Sequence, residues 1–160
     1  MAVTKLWKIT TNLSRTINYA EDHEKTFFDL KNALNYAENN DKTEQSFYIT
    51  GINCDVESAY EQMIQTKKCY NKQKGILGYH GYQSFREGEV TPQEAHRIGL
   101  ELANEMWGDK YEVIVATHLN TKCLHNHFVV NSVSFVDGKK FNSNRAVSYT
   151  HLTLPTTSRV

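Results

Sequence analysis

The run Tyr111-Glu112-Val113-Ile114-Val115-Ala116, leading through Thr117 to His118 and resuming at His125-Asn126-His127-Phe128-Val129-Val130-Asn131, leaves this chain little choice of fold. Both flanks are rich in β-branched and aromatic residues, and the six residues between His118 and His125 suit a hairpin loop. Side chains on a strand alternate between faces, so His125 and His127 share one face with Val129 and Asn131. Antiparallel pairing across the loop then sets His118 nearly opposite His125, and three of the seven histidines converge on one point. Neutral imidazole nitrogens are good ligands for a divalent cation. Three protein ligands with one open position is the layout of a catalytic site rather than a closed structural one. Taken singly, each histidine reads as an ordinary strand surface residue; only their mutual spacing points to a cation. Cys123 suits a fourth ligand and a free thiol equally well, and the spacing leaves both open.

The rest of the chain supplies a sheet for this hairpin to join. Val3 to Ile9 reads as a first strand, followed by a short helix capped by Thr11 or Asn12 with Leu13, Thr16, Ile17 and Ala20 as its apolar stripe. At 100° per residue Tyr19 points away from that stripe. It is either an ordinary exposed tyrosine or one directed at a substrate. Thr26 to Gln45 scatters its apolar residues among Asn and charges and is expected to be a mobile helix-and-loop stretch. Ser46 to Ile52 reads as a strand, and Asp55 as the cap of an amphipathic helix carrying Val56, Ala59, Tyr60, Met63 and Ile64.

Gly75 to Phe85 is a glycine-laced strand on which Ile76, His80, Tyr82 and Ser84 share a face; glycine inside a strand often marks close approach of a backbone or ligand. Thr91-Pro92-Gln93-Glu94 is a capping box with proline at the first helical position, opening a helix that stops near Gly108 and carries a structural His96. Ser132 to Val136 is expected to extend the last strand, with Asp137-Gly138 as a tight turn. This order of elements predicts the α+β class: an antiparallel sheet of about five strands, helices packed mainly on one face, and the histidine hairpin at the centre.

Length and charge narrow the function. At 160 residues the chain is sized for one domain. Its 18 basic and 18 acidic residues cancel, which argues against a binder that relies on bulk positive charge. Lysines nevertheless cluster at Lys67, Lys68, Lys72 and Lys74, with a second group at Lys139, Lys140 and Arg145, either as solvated surface or as phosphate contacts. No apolar run approaches the roughly 18 residues of a membrane span. Lys5 and Lys8 are not followed by the apolar core of an export signal. Three cysteines, odd in number and without a C-x-x-C pair, fit a reducing cytoplasm.

Three blocks give the chain its resemblance to a known family: Met1 to Trp7 with Ile17-Asn18-Tyr19-Ala20 and Glu24-Lys25-Thr26; His80-Gly81-Tyr82-Gln83-Ser84-Phe85 with Gly88-Glu89; and the histidine stretch. In these it resembles the amino-terminal relaxase domain of plasmid and conjugative-element mobilisation proteins, the MobA/VirD2 type of the histidine-hydrophobe-histidine endonucleases. The resemblance implies a bacterial cytoplasmic enzyme that nicks one DNA strand at an origin of transfer and remains joined to the 5′ phosphate through tyrosine.

It puts the nucleophile on Tyr19, DNA contact on Ser84, and a catalytic divalent ion, Mg²⁺ or Mn²⁺ with Zn²⁺ as an alternative, on His118, His125 and His127. Lys67, Lys68, Tyr79 and Tyr82 become candidates for gripping single-stranded DNA. His80, Asn120 and Asn131 become candidates for holding the imidazoles. Implied partners are the origin strand, a relaxosome accessory protein and the coupling protein of a type IV secretion system, with no membrane insertion.

Two departures stand out. Asn120 occupies a position where the family commonly has an acidic residue, and Asn126 replaces the hydrophobe between the paired histidines. The domain is expected over residues 1–147 and incomplete. The threonine-rich 148–160 resembles translated adapter sequence and is expected to be a non-native or disordered tail. Two other readings remain: a phosphodiesterase whose cation activates water, and a DNA-binding module without catalysis.

Overall fold

A computed structural model of the chain describes residues 3–21, 48–119 and 122–142. The expectations for Thr26 to Gln45, Asn120 and the tail from residue 148 lie outside these residues. Five strands, β1 (Val3–Ile9), β2 (Ile49–Ile52), β3 (Gly78–Ser84), β4 (Val113–His118) and β5 (His125–Asn131), form one sheet in the order β1-β3-β5-β4-β2. Every neighbouring pair is antiparallel. The α+β class and the central place of the histidine hairpin are therefore as the sequence predicts, with β5 in the middle of the sheet.

Among the described residues three helices, α1 (Leu13–Ala20), α2 (Ala59–Cys69) and α3 (Pro92–Trp107), cover it. Alternation along β4 decides which side each meets. Ile114 and Ala116 point, with Val129 of β5, into a core shared with Leu13, Ile17 and Ala20 of α1 and Ala59 and Met63 of α2. Val113 and Val115 point the other way, with Phe128 and Val130, against Leu102, Ala103 and Trp107 of α3. Two helices thus occupy the histidine face. Among the described residues α3 alone covers the opposite face, so the helices lie mainly on one side as expected, and a helix is needed on the other because β4 and β5 are apolar on both faces outside the site. Trp107 is fully buried there, with its ring 5.9 Å from that of Phe128; burying each such ring contributes about 2–3 kcal/mol.

Local signals hold where they were strongest. Asn12 rather than Thr11 caps α1, its Oδ1 accepting from the Arg15 amide at 3.1 Å. The capping box at α3 is complete: the Thr91 hydroxyl accepts from the Glu94 amide, and the Glu94 carboxylate accepts from the Thr91 amide. Asp55 precedes a short 3₁₀ turn, Val56–Ser58, before α2 begins, and it is tied to the helix by both ends of the Gln62 amide.

Strand boundaries differ from expectation: β3 begins at Gly78, not Gly75, and Ile76 packs with the core on the α3 side. β5 ends at Asn131, and Ser132 to Val136 do not continue it. The Ser134 hydroxyl accepts from the amides of Val136 and Asp137, which turns the chain. Gly138, at φ +73, then closes the turn and leaves only a single bridge between Val133 and Lys140.

Candidate metal centre

Register delivers the three histidines to one place. His118 and His125 are direct partners across the β4–β5 hairpin, and His127 lies two residues further along the same face of β5. Ring centroids are 4.1 Å apart for His118 and His127, 5.2 Å for His118 and His125, and 5.0 Å for His125 and His127. One nitrogen from each ring lies within 4.8 Å of the others.

Each ring is oriented through a second nitrogen. His118 Nε2–H donates to the Ala20 carbonyl at 3.0 Å, tying the strand to the end of α1. His125 Nδ1–H donates to the Cys123 carbonyl at 3.1 Å. His127 Nδ1 meets His80 Nε2 at 2.8 Å. Backbone carbonyls only accept, so neutral His118 presents the lone pair of Nδ1 and neutral His125 that of Nε2. His80 can accept from His127 Nδ1–H, which leaves Nε2 of His127 as its donor atom.

Burial lowers the pKa of His80 and of His125 and favours their neutral forms. A cation held by all three would sit about 2.1 Å from each nitrogen. The donor set therefore fits a divalent cation, with His80 supplying the outer hydrogen bond that commonly fixes a ligating imidazole.

Around the cluster stands an aromatic wall. The Tyr19 ring lies 5.7 Å from His118 and 5.5 Å from His127 and is 46% exposed. α1 places it there: Leu13, Ile17 and Ala20 are buried, and the turn they share presents Tyr19 over the histidines. Tyr82, paired in register with His127, has its ring 5.3 Å from His125. Ser84 is the register partner of His125 on the same face and is half-buried. Cys123 is exposed in the loop, and its carbonyl accepts from His125.

Other expected residues are elsewhere. Asn131 is on the histidine face but at the far end of β5, four residues and roughly 13 Å from His127 at strand spacing. Its side chain accepts from Lys67 Nζ and donates to Glu112 Oε1 and to the Met63 carbonyl. Lys67 is only 1% exposed, so it offers no charge to a DNA backbone. Burial pulls its pKa down to about 8 against the opposing pull of Glu112. Tyr79 is also buried, on the α3 side, with its hydroxyl donating to the Phe141 carbonyl. Lys68 remains exposed on α2.

Asn126, on the reverse face, explains its own departure from a hydrophobe. It accepts from the Thr117 hydroxyl and donates to Gln83 Oε1 and to the Ala95 carbonyl of α3. A Cβ at Gly99 would come within 2.6 Å of its amide, so glycine there lets α3 close onto this hub. His96 extends the network, with Nδ1 2.8 Å from the Thr117 hydroxyl and Nε2 2.8 Å from that of Thr50. Burial brings its pKa down to about 4, consistent with a structural histidine. A polar brace thus stands directly behind the three imidazoles. The sequence signal for it was the pairing of a buried-strand asparagine with Gly99 on the facing helix.

Sheet and cluster together set three imidazoles that could hold a cation beside a partly exposed tyrosine. Comparison with known proteins gives the class a family. The model of the family "Relaxase: MobA/VirD2-like, nuclease domain" matches residues 36–153, and the chain belongs to that family. The matched segment contains Ser84 and all three histidines but begins after Tyr19.

The chain is 39% identical over 145 residues to a Protein rlx of Staphylococcus aureus, covering 91% of this chain and 38% of that protein. A second staphylococcal Protein rlx is 37% identical over the same length. The group II intron-interrupted relaxase LtrB of Lactococcus lactis subsp. cremoris (strain MG1363) is 38% identical over 72 residues, 44% of this chain and 13% of that protein. The chain thus spans little more than a third of the length of its staphylococcal relatives. No solved structure matches it. No helix among the described residues is long and apolar enough to cross a membrane.

Proposed function

We propose that the chain is the strand-cutting part of a DNA relaxase, nicking one strand at an origin of transfer by transesterification onto Tyr19. The observation that carries this reading is the approach of the Tyr19 ring to two of three imidazoles whose donor nitrogens already cluster. His118, His125 and His127 would hold the divalent ion, Mg²⁺ or Mn²⁺, with His80 orienting His127 and the Ala20 carbonyl orienting His118. When bound, that ion would polarise the scissile phosphoryl oxygens and offset the charge that grows on them.

The chain's own residues do the rest. A neutral phenol is a weak nucleophile and needs its proton removed as it attacks. The Tyr19 oxygen bonds to phosphorus while the bond from phosphorus to the departing 3′ oxygen breaks. The 3′ oxygen takes up a proton, and the 5′ phosphate stays on the tyrosine as a diester. Since one phosphodiester replaces another, attack by a 3′ hydroxyl reverses the step and rejoins strands. Ser84 and Tyr82, facing His125 and His127 from β3, line the path of the strand, and Lys68 is a more remote backbone contact. An accessory protein, a secretion-system coupling protein and a bacterial cytoplasmic setting complete the proposal.

The test is incubation with single-stranded origin DNA and Mn²⁺ or Mg²⁺, followed by mass analysis for a nucleotide adduct. The expected adduct sits on Tyr19, requires the cation, and disappears in Tyr19→Phe. Cleavage that persists in Tyr19→Phe without an adduct would instead identify a water-activating phosphodiesterase. DNA binding indifferent to a chelator, with no cleavage, would identify a binding module.

A further inference from the structure

On its histidine face the edge strand β1 carries Val3, Lys5 and Trp7, in register with Ser84, Tyr82 and His80 of β3. Val3 is 54% and Trp7 48% exposed, and Lys5 is exposed between them. A single apolar side chain in water is ordinary. Trp7 differs in its neighbours. Its ring lies 5.7 Å from that of His80 and 6.4 Å from that of Tyr82, and His80 is bonded to His127. Indole, phenol and imidazoles therefore run without a gap from the sheet edge to the metal centre.

Neither β1 nor β3 contains an acidic residue, so no strand neighbour of Lys5 on this face carries a negative charge. A row of rings that opens to solvent at Trp7 and is half-buried at His80 and Tyr82, beside an exposed lysine, is the chemistry that grips single-stranded nucleic acid: unpaired bases stack on rings while a cation meets the backbone. A paired base offers its neighbours, not a free face, so the occupant is single-stranded.

Resting on the relaxase reading above, we infer that this corner is a stacking shelf. Trp7 takes the base of a nucleotide flanking the scissile phosphate, and Lys5 takes a nearby backbone phosphate. Trp7 is thus a positioning residue: it sets where the strand lies over the histidines and performs no chemistry itself.

Trp7 and the fully buried Trp107 are the only two tryptophans, so emission reports on the shelf against an internal reference. The test titrates the chain, in chelator and at low salt, with a labelled mixed-sequence single-stranded oligonucleotide and with an abasic oligomer of equal length. Label anisotropy and tryptophan emission are read together. The expected result is quenching of the exposed emission as the base-bearing oligonucleotide binds. Trp7→Ala should weaken that binding about tenfold and Trp7→Phe should restore most of it. The abasic oligomer should bind the intact chain and Trp7→Ala alike. Lys5→Met should reduce the salt slope by about 0.7 with both oligomers. An unshifted Trp107 emission in Trp7→Ala verifies that this variant is folded.

Anisotropy that rises without quenching would overturn the shelf and leave the relaxase reading standing. So would a Trp7→Ala loss of equal size with the abasic oligomer. Failure of the intact chain to bind either oligomer would overturn both.

Discussion

At one end of β5, His125 and His127 meet His118 and Tyr19; at the other, on the same face, Asn131 meets Lys67, Glu112 and the Met63 carbonyl. Both are polar clusters on a strand face where apolar Val129 separates them. In the first, one nitrogen of each ring is spent on a hydrogen bond, to the Ala20 carbonyl, the Cys123 carbonyl or His80, and the remaining nitrogens face one another. In the second, the Asn131 amide uses both ends internally, and Glu112 also accepts from the Thr66 hydroxyl. A polar cluster holds a fold together when its lone pairs and protons are spent on each other, and it is available for chemistry when they converge on a shared space.

The sharpest way to break this contrast is to remove one residue from each end. His127→Ala should abolish binding of Mn²⁺ at the cluster, read by isothermal titration, while leaving the denaturant midpoint close to that of the intact chain. Asn131→Ala should leave cation binding in place but strand a buried ammonium without its acceptor, costing about 3 kcal/mol in urea unfolding. The comparison fails if Asn131→Ala loses the cation at unchanged stability.

A smaller effect is expected one layer out from the cation. His80→Ala should keep the three ligands but free the His127 ring to rotate, weakening cation affinity roughly 10- to 100-fold. An unchanged titration would show that the strand backbone alone fixes His127.

The last effect belongs to Lys67 and is a pH slope. Its pKa is lowered by burial from 10.5 to about 8, so between those values the unfolded chain binds the proton that the folded chain has released. Stability contributed by this group therefore rises with pH across that window. Below pH 8 both states are protonated, and the penalty for burying the charge is constant. Lys67→Met should flatten the rise in urea unfolding between pH 8 and 10.5. A slope unaltered by that substitution would mean that the buried amine stays charged throughout.

Features written in neighbouring residues were legible in advance. The alternation of His125 and His127, their approach to His118 across a six-residue loop, and the capping box at Thr91 all depend on contacts close in sequence. Tyr19 is different: helical periodicity shows that it leaves the core, but nine tyrosines compete for any role, and only family resemblance singled it out. Lys67 shows the opposite limit. It stands in a lysine cluster that reads as surface, yet its ammonium is buried because Asn131, 64 residues away, accepts from it. The end of β5 was misplaced for a related reason: Ser134 satisfies two amides that a strand would have left for a neighbour, and composition does not announce that choice.

By itself, the sequence determined the α+β class, the hairpin and the face on which its histidines lie, because a two-residue period is local and a one-residue slip would expose an apolar side. The tertiary structure alone decided that β1 lies beside β3 and β3 beside β5, bringing Trp7, His80 and His127 into one row. Strands far apart in the chain find their order through the burial of whole faces and the closing of long loops. That free energy belongs to the assembled sheet, and no short stretch of residues carries it.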